Sequence, residues 1–306
     1  MDTQSLTGYA GAGDLKISPV VNPDIVPLAA AYELSPEQAT FFKAQTGVDD
    51  DDNLRCHMLK VQEKAYDIFP YPCIRSFTFL QLGMSTLPEY AHILNLGQER
   101  VDGILLDMGC CFGVDSRKAV ADGFPLKNVV TTDLIKEFFD MGHALFNTTP
   151  ATYPINFVPG DVFNPNMLQV VPPFDKPPAT EKPELSTLTS LNPLAGRCAV
   201  IYAANFFHLF SEENQLQLAR ALAGLLSPEP GSMICGEHAG GLQKGILRRQ
   251  FTGRECDMLI HCPESWNAIW DGGVFAKGKV RVDARFDQVE RIGLAYNRLR
   301  WSVVRL

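Results

Sequence analysis

The residues best equipped for chemistry are acids and glycines at the ends of apolar runs. Ile104, Leu105 and Leu106 form one run, Asp107 ends it, and Gly109 and Gly113 follow at once. An apolar strand, a tight glycine turn and a helix beginning near Ser116 open a nucleotide-binding α/β unit. Glycine at 109 lets the backbone approach a ligand where a Cβ would block it. The usual middle glycine of such a turn is replaced by Cys111, so the turn needs a partner feature. That partner is Asp133, which closes the run 129–132 and lies roughly 20 residues beyond the first glycine, the interval expected for an acid on a ribose diol. A carboxylate suits that work because it accepts two hydroxyl hydrogen bonds side by side. Two histidines follow later apolar runs: His208 comes after 198–203 and His238 after 232–235. Each is a candidate general base for a hydroxyl, or a packed histidine. Cys111 is expected to take an ordinary negative φ, with its side chain turned away from the ligand.

These residues need elements to position them. Ser35-Pro36-Glu37 reads as a helix start, with Ser35 as N-cap and Pro36 at the first helical position. The acidic run Asp49 to Asp52 reads as a solvated loop into the next helix, 53–69, where Leu54, Met58, Val61 and Ala65 share a face. Another helix is expected over 88–96. The pattern then alternates: strand 102–107, helix 114–122, strand 128–133, helix 135–145 and strand 155–158, with Asp161 just past its end. Residues 164–196 are Pro-rich and without period, an insertion loop on the rim. Strand 198–203, a helix begun at Ser211, strand 232–235, a short helix begun at Pro263 and strands 280–286 and 299–306 complete the chain. The expected fold is a doubly wound α/β sheet with a helical N-terminal cap. Residues 1–100 supply an arm (1–34) and the cap, and residues 101–306 the nucleotide-binding domain.

The D-x-G turn at 107–109 with an acid closing the second strand resembles the class I S-adenosylmethionine (SAM) methyltransferases. Three stretches resemble a narrower group: GCCFGVDSRKAVADGFPLKNVVTTDLIKEFFDMGHALF, LTSLNPLAGRCAVIYAANFFHLFSEENQLQLARALAGLLSPEPGSMICGEHAG and HCPESWNAIWDGG. The group is the fungal methyltransferases of meroterpenoid and related secondary metabolism, which resemble O-methyltransferases acting on carboxyl groups. The resemblance runs from about Tyr71 onward. It implies SAM as cofactor and a Rossmann-like, seven-stranded sheet closed by an antiparallel hairpin. It also implies a cofactor site built from Asp107, Gly109, Cys110, Gly113, Asp133, Leu134, Asp161, Val162 and Asn205, with Asp161 and Val162 at the adenine. Tyr71 and Arg75 of the cap, with Phe207 and Trp266, are substrate candidates, ordinary packing being the alternative for each. Some proteins of this fold catalyse cyclisation or isomerisation without methyl transfer, and the cofactor motif does not separate that reading.

Composition narrows the partners. With 306 residues, 46% of them hydrophobic, the chain can fill a full core. A net charge of −8 without a basic patch argues against nucleic acid. No apolar run approaches the ~18 residues of a membrane span. The eight cysteines form no C-x-x-C pair, which argues against a structural zinc and for a reducing, cytoplasmic setting. The adjacent Cys110 and Cys111 read as part of the turn rather than as a redox couple. The partner expected is a small-molecule substrate, and the oligomeric state is open, a homodimer included.

Overall fold

The computed structural model describes residues 28–251, 254–291 and 294–306. Most of the expected N-terminal arm, residues 1–27, lies outside the described residues.

A seven-stranded sheet carries the molecule. Its strands are β1 (Ile104–Met108), β2 (Val129–Thr132), β3 (Asn156–Phe157), β4 (Cys198–Tyr202), β5 (Met233–Ala239), β8 (Val280–Arg291) and β9 (Leu294–Arg305), in spatial order β3-β2-β1-β4-β5-β9-β8. The first five are parallel, and β9 runs antiparallel to both β5 and β8. Every residue of β1, β2 and β4 is buried, which is why these segments read as unbroken apolar or β-branched runs instead of alternating. Because β1 pairs with β2 on one side and β4 on the other, the chain leaves β1 in two directions. That divergence opens a crevice beyond the carboxyl ends of the strands.

Helices α5 (Val114–Ala121) and α6 (Lys136–Leu145) connect β1 to β2 and β2 to β3, and α7 (Glu212–Leu225) connects β4 to β5. The connection from β3 to β4 contains no α-helix. The Pro-rich segment makes that crossover as coil and short 3₁₀ turns, and it is no mere rim loop. Its Leu185, Leu191 and Leu194 are buried in the main core, where they do the work of a helix face.

Before the sheet come α1 (Pro36–Thr46), α2 (Asp51–Ile68), α3 (Pro72–Arg75) and α4 (Tyr90–Glu99). Ser35 and Gln38 form the reciprocal capping box at the start of α1, and Gly47 ends that helix in the left-handed conformation. Asp50 accepts from the Asn53 N–H at 2.9 Å, so the acidic run starts α2 instead of preceding it as loop. Phe41, Phe42, Met58 and Ala65 of the cap share one core with Phe112, Phe138 and Phe146. The cap is thereby packed directly on the glycine turn and on α6.

Two departures lie at the end of the chain. A hairpin of β6 (Gly245–Phe251) and β7 (Arg254–Ile260) is inserted between β5 and α8 (Pro263–Trp270) as its own two-stranded sheet. Strands β8 and β9 also run longer than the expected 280–286 and 299–306. The extensions 287–291 and 294–298 mix apolar with polar and charged residues and contain no apolar run that marks a strand. Ion pairs hold part of that length: Arg298 meets Glu237 at 3.2 Å and Asp287 at 3.3 Å. No helix among the described residues is long and apolar enough to cross a membrane.

Candidate active site

The turn between β1 and α5 is built by three residues in the left-handed region. Gly109 has φ +66°, Cys111 +51° and Gly113 +66°. The negative φ expected at Cys111 is therefore wrong. The left-handed backbone aims the Cys111 N–H at Asp133 Oδ2, 2.8 Å away, and that charge-assisted bond offsets the strain of a side chain there. The other Asp133 oxygen accepts from the Ile135 N–H at 3.0 Å. Each carboxylate oxygen keeps a lone pair for a further donor. Asp107 is buried and accepts from the Ser116 hydroxyl at 2.7 Å, tying the end of β1 to the first turns of α5. Asp115, which sequence reading passed over, accepts from the Met84 N–H at 2.8 Å and the Tyr202 hydroxyl at 3.2 Å. It joins cap, turn and β4.

Beyond the strand ends lies an open cleft. Gly109, Asp133, Leu134, Asp161 and Val162, five of the expected cofactor residues, line it together with Thr132, Gly160, Phe163, Phe206 and Phe210. Asp161 closes its own turn by accepting from the Phe163 N–H at 2.9 Å. A Cβ on Gly109 would stand 2.7 Å from the Phe206 ring, so glycine serves a close approach as well as the backbone. Two carboxylates beside apolar and aromatic walls fit a nucleoside, whose sugar offers hydroxyl donors and whose base offers a flat apolar face.

Several expected residues stand elsewhere. Phe207 and Trp266 are fully buried and touch each other edge-to-face at 4.9 Å, with Trp301 and Trp270 around them. They form core, not pocket wall. The 3₁₀ turn at Phe207–Leu209 sends Phe207 inward while Phe206 and Phe210 face the cleft. His238 is also buried, and its Nδ1 accepts from the Trp301 indole N–H at 3.0 Å. Burial, then the neighbouring His208 and His261, holds its pKa well below the usual histidine range. His208 is half-buried, and its Nδ1 accepts from the Ala239 N–H at 3.4 Å. Tyr71 packs tilted against Phe69, with ring centroids 4.4 Å apart, and Arg75 ends α3; both belong to the cap beside the turn, outside the residues that line the cleft. Asn205 has φ +50° and gives its N–H to the Glu237 carbonyl at 2.6 Å. Cys110 is buried, and its N–H goes to the Thr132 carbonyl at 3.0 Å. Gly113 caps α5 and borders a separate pocket.

The buried acids impose a pH dependence on the unliganded enzyme. Burial raises Asp107 to about 7, and burial with the Asp107 charge raises Asp115 to about 8. Between pH 6.5 and 8 the folded chain still holds protons that an unfolded chain, with carboxyls near 3.8, has released. Stability must then fall as pH rises, by about 1 kcal/mol per pH unit for each group still protonated. Below pH 6.5 the trend is offset, because the unfolded state protonates His238 and His261, which burial keeps neutral in the fold. Urea midpoints taken across pH 6.5–8 should decline, and Asp115→Asn should flatten the decline; a level wild-type profile would contradict this.

The comparisons with known proteins agree with this geometry. The family model of the meroterpenoid methyltransferase N-terminal domain matches residues 29–80, most of the cap. O-methyltransferase atr3 of Stereocaulon alpinum is 30% identical over 271 residues, covering 83% of this chain and 68% of that protein. O-methyltransferase phiE of a fungal species (strain ATCC 74256) is 31% identical over 69% of this chain and 62% of its own length. The Asnovolin E/Chermesin D methyltransferase nvfJ of Aspergillus novofumigatus is 35% identical over 59% of this chain and 56% of its own length. Similar solved structures include the 1,6-didemethyltoxoflavin-N1-methyltransferase of Burkholderia thailandensis with S-adenosylhomocysteine, 11% identical, with a TM-score of 0.47 over 93% of this chain and 94% of that one. Strand order, glycine turn and acid-lined cleft thus meet sequence relatives along most of the chain, which belongs to the SAM-dependent methyltransferases, in the group of fungal secondary-metabolite O-methyltransferases.

Proposed function

We propose that this enzyme methylates a carboxyl oxygen of a small, largely apolar metabolite, a terpenoid or polyketide intermediate. The observation that carries the choice of acceptor is the hydrogen bond from the Ala239 N–H to His208 Nδ1. A ring nitrogen that accepts is unprotonated, so the neutral ring bears its proton on Nε2. In that state Nε2 has no lone pair with which to take a proton from a hydroxyl, whereas a carboxylate already ionised near pH 7 needs no base. A hydroxyl acceptor needs a base instead, and His238, the other candidate, has its Nδ1 committed to Trp301 inside the core.

The cofactor supplies an activated sulfonium methyl. In this reading Asp133 holds the ribose diol. Asp161 meets the adenine amino group, with Leu134, Val162 and Phe163 enclosing the ring. Asp107, through Ser116, keeps the turn in place at the methionine end, and Gly109 leaves room for backbone approach. Phe206 and Phe210 wall the cleft and exclude water, which favours alignment of the two reactants over solvent attack.

The test is the rate of methyl ester formation by His208→Ala. If His208 only orients a carboxylate, the variant should lose roughly tenfold or less and keep a rate nearly flat from pH 6 to 9. A loss of about 10²–10⁴-fold with cofactor binding intact would instead mark a general base and a hydroxyl acceptor. Product formed with no demethylated cofactor would mean cyclisation or isomerisation in place of transfer.

A further inference from the structure

A second, small pocket lies beside the glycine turn, away from the residues that line the cleft. Phe112, Gly113, Arg117, Phe139, His143 and Tyr153 line it. Arg117 is the unusual member. It projects from α5 and is only 5% exposed, yet among the described residues no carboxylate pairs with it. Its guanidinium lies between the rings of Phe146, at 4.2 Å, and Tyr153, at 3.6 Å. Its one hydrogen bond goes from Nη2 to Thr148 Oγ1 at 3.1 Å. A guanidinium carries five N–H donors, so most of this fork is unspent. Buried charges are ordinarily paired, and stacking on two ring faces supplies no anion in the plane of the fork.

Two other groups around this cation can donate as well. The Tyr153 hydroxyl is buried and has no hydrogen-bond partner among the described residues. His143 shares Thr148 Oγ1 with Arg117, at 3.1 Å, and stands edge-on to Phe139. Asp140, the acid nearest in sequence to His143, is held by Lys136 at 2.6 Å. We propose that this pocket binds a small phosphate-type oxyanion, gripped by the Arg117 fork with the Tyr153 hydroxyl and the His143 ring as further donors. Planar forks favour oxyanions with two oxygens to offer, which a chloride ion lacks. The site is distinct from the cofactor cleft, although Phe112 and Gly113 belong to the same turn as Gly109.

The experiment is calorimetric titration of the full-length enzyme with inorganic phosphate at constant ionic strength, with chloride as control. The His143 ring is followed by NMR in parallel. Saturable one-site binding is expected, with a rise in the His143 pKa as the anion fills the pocket. Tyr153→Phe keeps the ring over Arg117 and removes only the hydroxyl. It should weaken phosphate by about 2–10-fold, the worth of one hydrogen bond. Arg117→Lys keeps the charge and removes the fork, and should weaken it by about tenfold or more. A response to phosphate no different from that to chloride would overturn the proposal. So would binding that neither variant changes, because Arg117 would then be a stacked structural cation.

Discussion

Gly109→Ala is expected to cost about 2–5 kcal/mol of stability and to abolish most cofactor binding. Two physical terms add. A side chain at φ +66° is strained by about 1–2 kcal/mol. The new Cβ would also stand 2.7 Å from the Phe206 ring, and forcing extra volume into a packed site costs about 1–3 kcal/mol more. Gly113→Ala is the internal control. It has the same φ of +66°, but its nearest neighbour, Ser116 Oγ, is 3.7 Å away, so only the backbone term applies. Denaturant unfolding of the two variants separates the terms. If Gly109→Ala costs no more than Gly113→Ala, the close approach to Phe206 is not a constraint. A Phe206→Leu change added to Gly109→Ala should recover part of the loss.

Asp133→Ala should weaken SAM and its demethylated product by about 1–3 kcal/mol, roughly 5–150-fold. The carboxylate has two kinds of work. In the proposed function it holds the ribose diol, and it receives the N–H groups of Cys111 and Ile135, at 2.8 and 3.0 Å. Removing it frees the left-handed Cys111 peptide, so the turn loosens as the ligand contact is lost. Asp133→Asn keeps one acceptor oxygen and should fall between wild type and Ala. Calorimetry that gives wild-type affinity for Asp133→Ala would remove Asp133 from the site.

The alternation of strands and helices was legible because its signals are local. Strands β1, β2 and β4 are buried on both faces and so appear as short apolar or β-branched runs, and Ser35, Pro36 and Ser211 mark helix starts by capping chemistry. The β6–β7 hairpin and the outer parts of β8 and β9 were not legible. Their mixed apolar and charged sequences carry little period, and cross-strand bonds and ion pairs hold them. The same limit applied to residues 164–196, whose leucines show their purpose only when packed under the sheet.

By itself the sequence determined which acids and which glycine stand at the strand ends. Asp107, Gly109, Asp133 and Asp161 are fixed by their place at strand ends, and a strand end, its turn and the following helix lie within a few residues of one another. Tertiary structure decided which way the remaining groups face. Phe206 and Phe207 are adjacent in the chain, yet one lines the cleft and the other lies among three tryptophans. His238 is made a buried, neutral acceptor by Trp301, 63 residues away. Cys111 takes a left-handed backbone because Asp133, 22 residues on, receives its N–H. Arg117 lies unpaired by any described acid because Phe146 and Tyr153 enclose it. Each outcome depends on a partner that chain folding brings close, and spacing along the sequence carries no record of that distance.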